Sequence, residues 1–178
     1  MQYSDILKEA NLLRGAKIDA VLGKWFINEG MQVLATDYDS ACKRNNVALT
    51  VPVGTWTDLP AGCLAIIECS ASGTPYETYE MSFGQIRTLS SDALTLDLTY
   101  LTAHPDVVAD SDAPGVHELY HRPLALFMAA RDRQRVFADE DSDSVRLMAE
   151  FASIASRVNT RLTTGKKTRR VLAVAVFR

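Results

Sequence analysis

Apolar residues in the first quarter of the chain recur at helical spacing. Ile6, Leu7, Ala10 and Leu13 share one stripe of residues 4–13, with Ser4 or Asp5 placed to cap the start and Gly15 to end it. From Lys17 the set Ile18, Val21, Leu22, Trp25 and Phe26 repeats this spacing, and Val33, Leu34, Tyr38 and Ala41 extend it past Gly30. Trp25 and Phe26, on that stripe, read as core residues. Gly23 and Gly30 each weaken a helix by ~1 kcal/mol relative to Ala, so the pattern predicts one helix with a bend or break at Gly30.

After Asn45-Asn46 the period changes. Leu49, Val51 and Val53 alternate with Thr50 and Pro52, and Pro52 suits an edge strand. Strands are expected at 63–69, 76–81, 85–88 and 93–101, separated by turns at Ser72-Gly73, Phe83-Gly84 and Ser91-Asp92. In the last of them Leu94, Leu96, Leu98 and Tyr100 alternate with Thr95, Asp97 and Thr99, which predicts one buried and one wet face. Residues 104–115, HPDVVADSDAPG, lack periodicity and read as a surface linker.

Helical spacing returns in Leu124, Phe127, Met128 and Arg131, and again in Val145, Met148, Phe151, Ile154, Ala155 and Val158. The acidic ADEDSDS turn lies between, so 124–138 and 145–162 are expected to form an antiparallel hairpin in which Phe127 and Phe151 share a core. Beyond Gly165 the closing VLAVAVFR is strand-like in composition, with no obvious partner strand. The expected architecture is α+β: a helical bundle with an inserted small antiparallel β-region and an extended C-terminal arm. Its parts are 1–46 (N-terminal helices), 47–103 (β-region), 104–164 (linker and hairpin) and 165–178 (basic, strand-like arm), one domain overall.

With 178 residues, 47% of them hydrophobic and 23% charged, the chain can bury a core of its own. The net charge of −3 is unevenly spread: Asp and Glu crowd 106–143, whereas Arg157, Arg161, Lys166, Lys167, Arg169, Arg170 and Arg178 run to the end without an acid. Cys42, Cys63 and Cys69 make neither an even disulfide set nor a CxxC pair, which points to thiols in a reducing compartment. No apolar run approaches the ~20 residues needed to cross a bilayer, so no membrane partner is expected.

Four motifs bear on chemistry. His117-Glu118-Leu119-Tyr120-His121 fits HExxH, in which two histidines one helical turn apart ligate zinc and the glutamate activates water. Pro114-Gly115 before it and Pro123 after it interrupt the long helix that site needs, and His104 is the only other histidine, so no zinc is expected. Asp139, Asp141, Asp143 and Glu150 imitate a calcium loop, but Ser144 stands where the sharp turn needs Gly; an acidic helix-capping turn is expected instead. Gly165-Lys166-Lys167-Thr168 lacks the first glycine of a phosphate loop, and no G-x-S-x-G elbow occurs. Lys166, Lys167, Arg169 and Arg170 could meet phosphates or form a solvated tail. With Val171, Leu172, Val174, Val176 and Phe177 they make a candidate assembly arm that adds a strand to a neighbour.

The segments KWFINEG, LPAG at 59–62 leading into a strand, ALTLDLTYL and HELYHRPLALFMAARDR, in this order and spacing, resemble head-to-tail connector (adaptor) proteins of tailed bacteriophages. In that family a W-x-x-N-E helix, a Leu-Pro step into β-structure, a last strand ending in Tyr and a Tyr-His opening of a long helix recur. The likeness spans most of residues 17–158. It implies a structural virion protein without catalysis, cofactor or metal, sited in the neck between capsid and tail after synthesis in the host cytoplasm. Its implied partners are copies of itself in a dodecameric ring, the portal protein, a tail or stopper protein, and double-stranded DNA passing through the lumen without sequence recognition. The short N-terminal helix and the basic tail depart from the family pattern. The alternatives are another neck or tail-completion protein, or a zinc-dependent peptidase using His117, Glu118 and His121.

Overall fold

In the computed structural model, which describes residues 1–137, 141–164 and 171–172, two helices precede the main run of strands and two follow it. The chain is α+β. It divides into two compact units: a helical one from residues 1–42 and 103–164, discontinuous in sequence, and a β one from residues 43–102 with the short strand at 171–172.

Helix α1 (Tyr3–Arg14) ends at Gly15, whose φ of 76° is open to glycine at no steric cost. Its start departs from the expected Ser4 or Asp5 cap. Gln2 is the N-cap and makes no side-chain bond; the Tyr3 amide instead donates to the Asp112 carbonyl at 2.7 Å. The Tyr3 ring is fully buried, and its hydroxyl donates to the Ala20 carbonyl at 2.8 Å.

Asp19 caps α2 (Ala20–Asp37) by accepting the Val21 and Leu22 amides. The helix runs unbroken through both glycines, because each marks a close approach rather than a bend. A Cβ on Gly23 would lie 2.4 Å from the Tyr3 hydroxyl, and one on Gly30 would lie 3.0 Å from Leu124 and Phe127 side-chain carbons. The core therefore takes Gly23, Phe26, Ile27, Gly30, Met31 and Leu34. Val21 and Trp25, expected on the core stripe, fall on the opposite side, 76% and 61% exposed.

Residues 104–115 have no regular structure but are strapped to the helices. The Asn28 side chain donates to the Val107 carbonyl and accepts the Val107 amide, at 3.1 and 2.8 Å, and Val107 is buried. Helix α3 (His121–Phe137) follows, with Pro123 in its first turn, where a missing N–H costs little. Every residue from Leu124 to Ala130 is buried, as befits a helix surrounded on all sides, and α1, α2 and α4 (Ser142–Thr163) all pack against it. The Phe127 and Phe151 rings meet edge-on with centroids 5.2 Å apart. Val145, expected on the α4 stripe, is exposed, and Leu147 takes its place in the core.

In the β unit, β1 (Lys43–Val51) pairs along its full length with β7 (Leu94–Thr102). It opens before Asn45-Asn46 rather than after, because Asn45 pairs opposite Tyr100 and its amide reaches the Thr102 hydroxyl at 2.9 Å. One antiparallel sheet has the order β1, β7, β3 (Ala65–Ala71), β4 (Thr74–Pro75); the other has the order β2 (Thr57–Asp58), β6 (Gln85–Thr88), β5 (Tyr79–Ser82). Val51, Ile66, Leu96 and Leu98 from the first sheet meet Ile86 from the second in one apolar cluster. Both hairpin turns have φ above zero at their two central residues, Ser72-Gly73 (50° and 76°) and Phe83-Gly84 (47° and 78°), which matches the strand twist. On β7, Leu96 and Leu98 are buried while Asp97 is exposed; past a bulge in β3 between Ile66 and Glu68 the alternation shifts, and Leu101 is buried.

Strand β8 (Val171–Leu172) pairs antiparallel with β3, Val171 opposite Ile66 and Leu172 opposite Ala65. This corrects the expectation that the terminal segment lacks a partner strand in its own chain. Strand β4 covers β3 only at Ser70 and Ala71, so the edge at Ala65–Ile66 remains to be paired.

Phe151→Ala should cost about 3–5 kcal/mol in denaturant unfolding, since it empties a buried aromatic contact; a change below ~0.5 kcal/mol would place Phe151 outside the core. Gly23→Ala should destabilise despite the ~1 kcal/mol it gains in helix propensity, because the new methyl collides with the Tyr3 hydroxyl. The same substitution in a Tyr3→Phe background should be clearly less damaging, and additivity of the two changes would show that the hydroxyl is not the obstacle.

Candidate functional site

The HELYH segment forms a corner, not a helical metal face. His117 has an extended backbone (φ −56°, ψ 142°), and its Nδ1 accepts the Leu119 amide at 3.2 Å, capping a single 3-10 turn over Glu118–Tyr120. Only His121 belongs to α3. The pair of histidines is thus not presented one α-turn apart: His117 is exposed, whereas His121 is buried with neither ring nitrogen in a well-formed hydrogen bond. His104 lies against Gly115. Among the described residues no three His, Cys, Asp or Glu side chains stand together as a metal site. Tyr120, between the histidines, turns inward; its hydroxyl meets Ser40 Oγ at 2.6 Å, and Ser40 donates to Asn159 Oδ1 at 2.8 Å. The corner thereby ties the short turn that follows α2 to α4.

The acidic turn is a capping device. Asp141 accepts the Ser144 amide at 2.8 Å as N-cap of α4, and Arg133 forks onto both its oxygens at 2.7 and 3.1 Å. That guanidinium holds the Asp141 carboxyl below the usual carboxylate range. Arg133 also reaches Asp143 at 2.9 Å. Asp141 and Asp143 are thereby engaged by Arg133 of α3, and Glu150 by Arg122; Asp139 and Glu140 lie outside the described residues.

The arrangement that sequence reasoning missed is the end of α3. Arg131 makes a two-pronged contact with Glu29 of α2 (3.1 and 2.8 Å), Asp132 accepts Arg14 of α1 at 2.9 Å, and Arg133 holds Asp141 at the head of α4. Asp132 is one of the few buried charged groups. Its only sequence signal is a charge adjoining the apolar run LALFMAA, which by itself names no partner.

Of the candidate arm, Val171 and Leu172 pair with β3, while Lys166, Lys167, Arg169, Arg170, Val174, Val176 and Phe177 lie outside the described residues. The β unit carries an open cleft of about 520 Å³ lined by Glu68, Cys69, Tyr76, Glu77 and Tyr79 among others. Burial pushes the Cys69 thiol up to about 11, so it stays protonated at neutral pH and is a weak nucleophile. No helix among the described residues is long and apolar enough to cross a membrane. No protein-family model matches the chain, and no curated protein matches it.

His121 gives the helical unit a pH dependence. Burial, helped by the nearby amino terminus, lowers its pKa from 6.5, with Glu118 and the Val116 carbonyl pulling the other way. The unfolded chain takes up a proton near pH 6.5 that the folded chain resists, so this contribution to stability is complete above pH 6.5 and shrinks as pH falls toward the folded value. Melting temperature should decline between pH 7.5 and 5.5 more steeply in the wild type than in His121→Leu; parallel profiles would mean that His121 is not the group responsible.

Proposed function

We propose that this chain is a structural virion protein, a ring-forming head-to-tail connector that joins a portal to a tail around a DNA channel and performs no catalysis. The observation that carries the reading is that two of the four segments giving the family resemblance, KWFINEG and HELYHRPLALFMAARDR, meet one another in the helical unit. Glu29 of KWFINEG holds Arg131 of HELYHRPLALFMAARDR, Gly30 admits Leu124 and Phe127 of the same segment, and Asn28 clamps the strap at Val107. Weak motifs that are mutually dependent in space are more informative than the same motifs taken singly. In the β unit, LPAG makes a turn in which the Cys63 amide donates to the Pro60 carbonyl and Gly62 has φ 73°. The reading also gives HELYH a role that needs no metal, as the corner through which the chain passes into α3.

Cross-linking mass spectrometry on purified tailed particles that carry this chain should yield cross-links to portal and tail subunits and between copies of the chain. Absence of the chain from purified particles, or cross-links confined to non-structural proteins, would overturn the reading.

A further inference from the structure

The solvent side of α2 is unusual for an exposed helix. Its charged residues are Lys24, Glu29 and Asp37; Lys24 is bound to Asp110 at 2.7 Å and Glu29 to Arg131. Asp37 is exposed at the far end of the helix, more than a quarter-turn around it from the row, and the row itself, Val21, Trp25, Gln32 and Thr36, is uncharged. Val108, 75% exposed, follows the residue that Asn28 clamps one turn from Trp25. Single exposed apolar residues are ordinary. An indole and a valine one helical turn apart, beside a second exposed valine and with no charge in their row, mark an interaction face. Three exposed aspartates accompany that face: Asp19, which caps α2, Asp110, which holds Lys24, and Asp106 beside the clamped Val107; against the single Lys24 they leave it net acidic.

The outer side of α4 has the opposite character. Arg146, Arg157 and Arg161 are exposed along it, and among the described residues neither Arg157 nor Arg161 has a carboxylate partner. Between these arginines stand Ala149 and Ser153, short enough to leave room for a bulky neighbour, and Glu150, which is turned to Arg122; Arg146 is held by Asp143, so Arg157 and Arg161 carry the free positive charge of this side. Both helices pack on α3 through their other sides, and the exposure of Trp25 and of the arginines shows that the two faces do not cover one another within one chain.

We infer that the α2 face around Trp25 docks on the arginine-lined outer face of α4 in a second copy of this chain. The charge complementarity selects the occupant: a net acidic face with an apolar centre meets arginines on the same kind of subunit, and an arginine can stack on the indole as well as pair with the aspartates. Two α2 faces brought together would instead oppose aspartate to aspartate. Such a contact closes into a ring when it runs head-to-tail and the rotation between neighbours allows, whereas a reciprocal two-fold pairing stops at two copies. This inference names the subunit contact of the ring proposed above and rests on that reading.

The test uses the full-length chain in sedimentation velocity across a concentration series. Wild type should assemble, whereas Trp25→Glu, and separately Arg157→Glu with Arg161→Glu, should remain monomeric with unchanged circular dichroism and melting. Trp25→Ala should raise the concentration needed for half-assembly at least about thirtyfold, as loss of a central Trp anchor does. The decisive arm mixes the two monomeric variants. Each retains the face that the other lacks, so a one-to-one mixture should give a dimer and nothing larger. Wild-type assembly by both variants would overturn the face assignment while leaving the ring reading intact. Monomeric variants whose mixture gives no dimer would also overturn it. A wild-type chain that stays monomeric throughout would overturn the inference, and the place of the chain in particles would then decide separately whether the connector reading stands.

Discussion

An α-helix turns about 100° per residue, so three consecutive side chains at its end point to three different neighbours. Arg131, Asp132 and Arg133 use that geometry: one reaches Glu29 on α2, one Arg14 on α1, one Asp141 on α4. The rest of the helical unit depends on this arrangement. Apolar burial along Leu124–Ala130 supplies the strength, but it is non-directional, and a helix apolar on every side could be gripped at several rotations. The ion pairs distinguish among those rotations. The Asp132 pair is buried, with side-chain exposure of 3% for Asp132 and 12% for Arg14, so a rotated α3 would strand a charge in the interior at a cost of ~3–5 kcal/mol. The two more exposed pairs are individually weaker.

A second constraint closes the unit from the side of the strap. Asp112 gathers the Val108 and Ala109 amides onto its carboxylate while its carbonyl accepts the Tyr3 amide, which satisfies a donor at the start of α1. Those two amides hold the Asp112 carboxyl below its ordinary range. With Asn28 clamping Val107, a stretch lacking secondary structure becomes a fixed course along α1 and α2. Its downstream end is the HELYH corner, so the orientation of α3 is set at both ends: by the strap and Tyr120 before it, and by the charged triplet at its close.

How much of this was legible in the sequence follows from which interactions are local. The turns at Ser72-Gly73 and Phe83-Gly84 were readable because the residues that bend the chain are the turn itself, and Gln85–Thr88 lies where its alternation put it. The hairpin of α3 and α4 announced itself through two apolar stripes and an acidic turn. Periodicity fixes the angular spacing of a stripe but not which of two candidate stripes meets the core. That ambiguity placed Trp25 and Val145 inside, where Ile27 and Leu147 belong. Gly23 and Gly30 looked like weak points because their reason for being glycine lies on Tyr3, Leu124 and Phe127, distant in sequence. The pairing of Arg14 with Asp132, 118 residues apart, leaves no local trace at all.

HELYH and the outer faces of α2 and α4 make the same point in opposite directions. The five-residue motif has the spacing of a zinc site, yet an extended backbone at His117 separates the two rings, so spacing without helical geometry yields a corner. The two outer faces match no motif, but their chemistry is asymmetric: exposed aspartates accompany an exposed indole on one, and Arg157 and Arg161, without a carboxylate partner among the described residues, stand on the other. If those faces form the subunit contact inferred above, copies that each give one face to the neighbour ahead and the other to the neighbour behind close as a ring, whereas a pair joining both faces reciprocally about a two-fold axis stops at two copies.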